Sequence, residues 1–284
     1  MTDFHSFAMA HGLVINHLHP ADKVQRCPTV DKPRSKNGAW FWDGFRGWVS
    51  DWAQGGEIHW FDNPQAKQWT DADRKAWAQR KQATQQRQED GWGRAAMQAS
   101  LMLRDTELKT HDYLHYKGLG DSVGLVNDQN ELLVPMRHHK TNDLQGLQLI
   151  RWLPDEMRYE KKMLPGMRAK GCALRMGPKT AQETFLCEGY ATGLSIDIAA
   201  RLMRLNAAVL ICFSDSNMVH VASMVKGRAY VCADNDESGA GQRAAEKTNL
   251  PYCMSPVLGE DFNDLHARAG LVEAAKLLMR VRMT

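Results

Sequence analysis

Two apolar segments that each end at a carboxylate constrain the fold of this 284-residue chain more than any other feature. The segment Thr184–Cys187 is followed by Glu188, and the segment Arg228–Ala233 is followed by Asp234 and, two residues on, Asp236. Acids in these positions are expected at the carboxyl ends of parallel strands, where open α/β sheets bind their ligands. Magnesium prefers oxygen ligands and keeps waters and substrate phosphates in its shell, so a few carboxylates suffice. Glu188, Asp234 and Asp236 are therefore a candidate Mg²⁺ site.

Helix and strand patterns alternate between and after these acids. Apolar residues recur at helical spacing from Ala191 to Leu205, and residues 207–213 form an apolar run typical of a parallel strand covered on both faces. A helix is then predicted over 242–247, a short strand at 252–254 and an amphipathic helix from Leu271 to Val281. This alternation predicts an α/β fold, a parallel sheet with flanking helices.

The composition is that of a globular protein, with 43% hydrophobic and 24% charged residues. No run approaches the roughly 18–20 apolar residues of a membrane span, and residues 1–20 lack a signal-peptide pattern, so we expect a cytoplasmic protein with no membrane partner. The net charge of +3 is too small to demonstrate a polyanionic partner. The six cysteines include no Cys-x-x-Cys pair and are predicted to be buried thiols in a reducing compartment, so zinc is not expected.

Residues 1–65 are predicted to form a small antiparallel β-module, because aromatic runs alternate with Asn-Gly, Asp-Gly and Gly-Gly pairs. The aromatic side chains have two interpretations. The favoured one is the core of a very small sheet, and the other is stacking on unpaired bases of single-stranded DNA. The candidates for DNA binding are Trp40, Trp42, Arg46 and Trp48. The module also contains His5, His11, His17, His19 and Cys27, but their spacing fits no zinc pattern.

Two further segments separate this module from the acidic site. Residues 66–105 are rich in good helix formers with little apolar content and are predicted to be a helical connector of one or two helices. Residues 106–180 contain strands near 132–136 and 146–151 and then the densest basic stretch of the chain. A basic stretch is often only a solvated face. Because this one comes immediately before the acids, contact with the phosphates of a nucleotide or template is an equally favoured interpretation.

These ordered motifs resemble the TOPRIM domain, an α/β metal-binding fold shared by DnaG-type primases, topoisomerases and some nucleases. The matching pieces are Glu188-Gly189 after a strand, Asp234-x-Asp236 after a later strand, and the Asp261-Phe262-Asn263-Asp264 loop. A closer resemblance, over most of the chain, is to primases of phages and plasmids. The further pieces that carry it include His111-x-Tyr113-Leu114, Leu133-Val134-Pro135-Met136-Arg137, Gly146-Leu147-Gln148 and Glu188-Gly189-Tyr190-Ala191-Thr192-Gly193.

The resemblance implies that residues 106–180 are the basic N-terminal part of a primase core and that 181–284 are the TOPRIM domain with a C-terminal helix. It implies a DNA-dependent RNA primase that makes short primers on single-stranded DNA from nucleoside triphosphates, with a separate replicative helicase as partner. Mg²⁺, with Mn²⁺ as a substitute, would be held by Glu188, Asp234, Asp236 and Asp261, with Asn263 and Asp264 as further candidates. The implied nucleotide- and template-binding residues are Arg137, Lys161, Lys162 and Lys170. Its setting would be the cytoplasm of a phage-infected or plasmid-bearing bacterial cell.

The chain departs from that pattern in three places. The aromatic module stands where many primases have a zinc ribbon, and Asn263 and Thr192 stand where DnaG-type enzymes place acids. Two alternatives to a primase therefore stay open. One is a TOPRIM nuclease that uses the same carboxylates, and the other is a non-catalytic replication factor that binds single-stranded DNA. Glu188 is equally open as a metal ligand or as a general base.

Overall fold

A computed structural model describes residues 3–21, 23–52, 56–63 and 70–284, which divide into two compact units, Met1–Lys81 and Gln82–Thr284. The described helices are α1 (Phe4–Ala10), α2 (Asp71–Arg104), α3 (Asp112–Tyr116), α4 (Tyr190–Leu202), α5 (Asp215–Ala222), α6 (Ala240–Thr248), α7 (Phe262–Ala269) and α8 (Leu271–Arg282). The described strands are β1 (Gln25–Cys27), β2 (Gly38–Trp42), β3 (Gly47–Asp51), β4 (His59–Phe61), β5 (Glu107–Lys109), β6 (Gly124–Val126), β7 (Leu132–His138), β8 (Leu144–Leu153), β9 (Arg158–Met163), β10 (Cys172–Met176), β11 (Glu183–Cys187), β12 (Ala207–Ile211), β13 (Arg228–Cys232) and β14 (Tyr252–Cys253).

The first unit contains an antiparallel sheet in the order β1-β2-β3-β4, as its hairpin signals predicted. One face of this sheet packs on α1, where Phe4 stacks on Trp42 with ring centroids 4.8 Å apart and lies 6.3 Å from Trp40. Aromatic rings of this size supply most of the apolar area that so small a core can bury. The sheet core is therefore built largely from aromatic side chains.

Helix α2 continues through Gly91 and Gly93 as a single helix, because flanking Ala, Gln, Arg and Met residues are strong helix formers. In the second unit, Ala95 and Ala99 of this helix are buried against Leu133 and Leu147. Small side chains at this spacing let the helix lie close to the sheet. The C-terminal part of α2 therefore covers one face of the strands that precede the acidic region.

The second unit is built on one ten-stranded mixed sheet. Strands β14, β13, β11 and β12 are parallel and adjacent in that order. Strand β10 pairs antiparallel with both β12 and β7, and so joins the parallel part to the antiparallel strands β5 to β9. The mixed α/β architecture and the separate antiparallel module agree with the predicted fold class.

The parallel strands are covered on both faces, as their continuous apolar sequences predicted. Phe185, Cys187 and Ile211 lie in a core with residues of α4, α7 and α8, while Leu186 and Leu210 lie in a second core with residues of α5 and α6. All six cysteines are free and buried, as predicted. No helix among the described residues is long and apolar enough to span a membrane.

Candidate active site

Three parallel strands end together and place acidic residues at one edge of the sheet. Cys187 at the end of β11 precedes Glu188, and the turn after β12 leads to Asp215. The turn after β13 leads to Asp234. Because β11 lies between β12 and β13, the three carboxyl groups are neighbours on the sheet. The edge is the one where the sequence predicted a cluster.

Glu188 and Asp215 are joined through both backbone and side chains. The amide of Phe213 donates to the carbonyl of Glu188 at 2.9 Å, and Phe213 adopts a left-handed φ of 66°, which turns the chain towards the start of α5. The side chains of Glu188 and Asp215 share a hydrogen bond, which requires a proton on one of the two carboxyl groups. Burial, then the charges of Asp215 and Asp234, raise the pKa of Glu188 to about 8. Burial also raises the pKa of Asp215.

Asp234 lies at the centre of the negative charge. Its Oδ1 atom is buried and has no hydrogen-bond partner among the described residues. Burial, followed by the charges of Asp261 and Asp215, raises its pKa to about 7, and Lys161 acts in the opposite direction. A buried carboxylate without a hydrogen-bond partner is strongly stabilised by any cation that reaches it.

The loop after β13 is held by backbone contacts that bring Asp261 towards Asp234. The amide of Asn235 donates to the carbonyl of Glu260 at 3.1 Å, and its side chain donates to the carbonyl of Ser255 at 2.9 Å. These bonds fasten the Asp234–Asp236 loop to the segment that ends at Asp261. This attachment explains why the charge of Asp261 raises the pKa of Asp234.

Asp236 caps helix α6. Its carboxylate accepts hydrogen bonds from the amides of Gly241 at 2.9 Å and Ala240 at 3.2 Å and from the hydroxyl of Ser238. The Ser238 bond first, and then the amide bonds, lower the pKa of Asp236 to about 2. Gly241 is required here because a Cβ atom would overlap the backbone carbonyl of Asp234. Asp236 is thus a permanently ionised carboxylate beside Asp234, with lone pairs left for another ligand.

The Asp261–Asp264 segment begins α7 with a capping box. The Asp261 carboxylate accepts from the Asp264 amide at 2.8 Å, and the Asp264 carboxylate accepts from the Asp261 amide at 3.2 Å. Asn263 is buried and donates to the carbonyl of Lys117 and to the Ser195 hydroxyl, both at 3.0 Å. Its Oδ1 atom has no partner among the described residues. Asn263 therefore braces α7 against α4 and the segment after α3.

Two lysines face the acids. Lys117 forms an ion pair with Asp264 at 3.2 Å and interacts electrostatically with Asp261. Lys161 of β9 interacts with Asp261, Asp234 and Glu188. Partial burial of its ammonium group and the charge of Lys117 lower the pKa of Lys161, while the carboxylates act in the opposite direction. The acidic cluster thus has a positively charged wall.

The other three basic residues predicted to bind nucleotide or template make different contacts. Lys162 follows Lys161 on β9 and so projects from the opposite face, where it pairs with Glu160 at 2.8 Å. Arg137 donates to the carbonyl of Asn142 at 3.1 Å, and Lys170 lies close enough to His220 to lower its pKa. Of the four predicted residues, Lys161 interacts electrostatically with the carboxylates, and nucleotide or template binding by Arg137, Lys162 and Lys170 stays a prediction.

The N-terminal candidates are divided between the two faces of their sheet. Trp40 is 3% exposed, and Trp42 packs beside it in the same core. Trp48 points to the other face and pairs in register with Trp60, which is 67% exposed. Arg46, in the turn between β2 and β3, is exposed. Trp40 and Trp42 therefore match the interpretation as core, and DNA binding by Trp48 and Arg46 stays a prediction.

Sequence reasoning missed Asp215 and Lys117 as site residues. The sequence Ser214-Asp215 is typical of a helix cap, and Ser214 is indeed the cap of α5, since its hydroxyl accepts from the Asn217 amide at 3.3 Å. The available signal was that Asp215 follows an apolar strand just as Glu188 and Asp234 do. Lys117 gave no such signal, because only the tertiary fold brings it to Asp264.

The oxygen atoms at this site are the kind of ligand that a hard divalent cation prefers. Asp234, Asp236 and Asp261 offer carboxylate oxygens, and the buried, unpartnered Oδ1 of Asp234 is directed to no other group. The arrangement is open, however, since no three His, Cys, Asp or Glu side chains in the described part of the chain converge closely enough to enclose an ion. An open set of carboxylates is the kind of site in which Mg²⁺ keeps waters and substrate phosphates as ligands.

The segment that carries these acids resembles a known domain. Residues 183–271 match the family model of the Toprim domain. The resemblance to that domain is therefore confirmed over the segment that contains Glu188, Asp234 and Asp261. The crystal structure of the RNA polymerase domain of Mycobacterium tuberculosis primase DnaG aligns with 53% of this chain, at 18% identity and a TM-score of 0.37. The aligned part is 55% of that structure, so the chain spans about half its length. No curated protein matches the chain.

Proposed function

We propose that this chain is a DNA-dependent RNA primase that synthesises short primers on single-stranded DNA during phage or plasmid replication. The observation that supports it best is the carboxylate cluster of a Toprim segment with Lys161 directly beside it. Nucleotidyl transfer requires acids that hold a metal and a cation that stabilises the charge of the triphosphate. The carboxylates would meet the first requirement and Lys161 the second.

The acids have different protonation states and hence different roles. Asp236 is ionised throughout the neutral range and, with Asp234 and Asp261, would hold the metal. When bound, Mg²⁺ or Mn²⁺ supplies the positive charge that neutralises the triphosphate and lowers the pKa of the attacking 3′-hydroxyl. Glu188 is suited to accept the proton of that hydroxyl, because a group with a pKa near the working pH is an effective general base. Asp215 then holds the accepted proton through its hydrogen bond with Glu188.

Lys161 contributes by charge and position. Its ammonium group faces Asp234 and Asp261, so it lies where the phosphates of a nucleotide held by these acids would lie. A cation placed there before the reaction stabilises negative charge that develops on the transferred phosphoryl group. The partners of the proposed enzyme are a single-stranded DNA template, nucleoside triphosphates and a separate helicase.

The decisive experiment incubates the full chain with single-stranded DNA, labelled ribonucleotides and Mg²⁺ or Mn²⁺ and resolves the products by size. We expect short, template-dependent oligomers that are abolished by Asp234→Ala. The matched control is Asp197→Asn, which neutralises a buried carboxyl that pairs with Arg201 on α4 and should leave synthesis intact. Shortened DNA without nucleotide incorporation would instead indicate the nuclease. DNA binding that is unchanged by Asp234→Ala, without synthesis or cleavage, would indicate a non-catalytic factor.

A further inference from the structure

Four aromatic side chains gather around the β8–β9 hairpin beside the acidic site. The ring centroid of Tyr159 lies 4.9 Å from that of Trp152, 5.2 Å from that of Tyr113 and 5.8 Å from that of Tyr116. These four residues, with Met157, Arg158, Lys117 and Lys161, line a pocket of about 210 Å³ that we call the aromatic pocket. Neither the aromatic residues nor the pocket has a part in the chemistry described above.

The aromatic pocket is not an ordinary piece of core. Tyr116 is 74% exposed and Trp152 is 41% exposed, so two large rings present apolar surface to solvent at the same place. Tyr113, by contrast, is 1% exposed, and its hydroxyl has no hydrogen-bond partner among the described residues. Buried polar groups are normally satisfied, and grouped exposed rings usually mark a binding surface. Both observations point to a ligand-binding surface.

The cations of the aromatic pocket define the chemistry of that ligand. The Lys161 ammonium lies 5.4 Å from the centroid of the Tyr113 ring, and the same ammonium faces Asp234 and Glu188. Lys117, on the same wall, pairs with Asp264. A flat ring system that carries phosphates is thus matched by rings on one side and by lysines on the side of the carboxylates.

The size of the pocket limits what enters it. Its volume of about 210 Å³ is below the roughly 300 Å³ at which pockets for whole drug-sized ligands begin. It therefore suits a base, with the sugar and phosphates left outside along Lys117 and Lys161. Stacking on such rings tolerates any base, because every base has a π-face.

We propose that the aromatic pocket binds one unpaired nucleobase and that Lys117 and Lys161 bind its phosphates on the way to the carboxylates. The inference deepens the proposed function, on which it rests, by locating a nucleotide beside the acids. The base can come from an incoming nucleoside triphosphate or from the template strand, and these two sources share the same chemistry.

The test compares the double variant Tyr116→Ala/Trp152→Ala with Tyr116→Phe/Trp152→Phe, which keeps a ring at each position. Equilibrium binding is measured for three probes, namely a fluorescent ATP analogue, a fluorescein-labelled oligothymidylate and inorganic tripolyphosphate. We expect the alanine variant to bind the ATP analogue or the oligonucleotide about 5- to 100-fold more weakly, in line with the stacking of one base. The phenylalanine variant should bind them nearly as the unaltered chain does. Tripolyphosphate has no base, so its affinity should be equal in all three proteins.

A loss confined to the ATP analogue assigns the base to the incoming nucleotide, and a loss confined to the oligonucleotide assigns it to the template. Equal binding of both probes by the two variants overturns the inference, and so does a failure of the unaltered chain to bind either probe. The proposed function fails separately, if the unaltered chain binds a probe but makes no primer. Should circular dichroism show that the double variant is unfolded, Tyr116→Ala alone serves, because its ring is the more exposed.

Discussion

The carboxyl groups of Glu188 and Asp215 share a hydrogen bond, although the two residues follow different strands of the sheet. Such a pair forms only if one member keeps a proton, and burial raises the pKa of both carboxyl groups. The site of the free chain thus stores a proton near neutral pH. A cation that binds to these carboxylates would displace that proton.

Without divalent cations, Glu188 and Asp234 should contribute a fall in the free energy of unfolding as the pH rises from about 5 to 8. The pKa values of Glu188 and Asp234 are about 8 and 7 in the folded chain, above the ordinary values of 4.5 and 3.8. The folded state therefore binds more protons than the unfolded state in this window, and deprotonation favours unfolding. We expect Glu188→Gln to reduce the loss by about 1–3 kcal/mol. Urea unfolding of both proteins in EDTA at pH 5, 6.5 and 8 measures this change in the free energy of unfolding.

Addition of Mg²⁺ at pH 8 supplies the control for that experiment. Binding to the folded state alone raises the melting temperature of the unaltered chain, and the rise should be smaller for Asp234→Asn. A pH-independent free energy of unfolding in EDTA would contradict the raised pKa values of both acids.

Asp215→Asn should shift the acidic limb of the activity profile to lower pH. The charge of Asp215 is the main electrostatic cause of the raised Glu188 pKa, so its removal lets Glu188 ionise at lower pH. The measurement is primer synthesis against pH, for this variant and for Asp197→Asn. An acidic limb that moves equally in both variants would show that Asp215 has no specific part in the site.

Lys161→Gln should lower primer synthesis by roughly one to two orders of magnitude, because it removes a cation whose charge acts on Asp234 and Asp261. Lys162→Gln is the matched comparison on the same strand. Its side chain pairs with Glu160 on the opposite face, and an exposed ion pair contributes at most about 1 kcal/mol. Steady-state rates at saturating and limiting nucleotide measure both variants. Equal losses would contradict the assignment of the two faces of β9.

Asn217→Ala should destabilise the second unit by about 2–4 kcal/mol. The buried side chain of Asn217 accepts from the Gly171 amide at 2.8 Å and donates to the carbonyls of Cys172 and Cys212, both at 2.7 Å. Its loss removes all three hydrogen bonds at the junction of β10, β12 and α5. Urea unfolding measures the change. The exposed Asn206 makes one contact of 3.5 Å with the carbonyl of Thr180, so Asn206→Ala should change the free energy by less than about 0.5 kcal/mol.

The sequence by itself predicted the class of fold and the edge where the acids meet. Local pattern suffices for this, since an apolar run predicts a buried strand and the carboxyl ends of parallel strands lie together. Glu188 and Asp234 followed directly from that rule. Asp215 obeys the same rule and was overlooked because its neighbour Ser214 gave a competing local signal for a helix cap.

Only the tertiary structure decided which basic and aromatic residues accompany the acids. Lys161 and Lys162 are adjacent and chemically alike, and the pleat of β9 separates them by directing successive side chains to opposite faces. Strand β9 was not predicted, because its sequence is mostly charged and contains no apolar run. Its pairing with β8 forms the strand. Lys117 reaches Asp264, and Tyr113 reaches Tyr159, through contacts between distant segments. Such contacts depend on register and packing, which spacing along the chain does not encode.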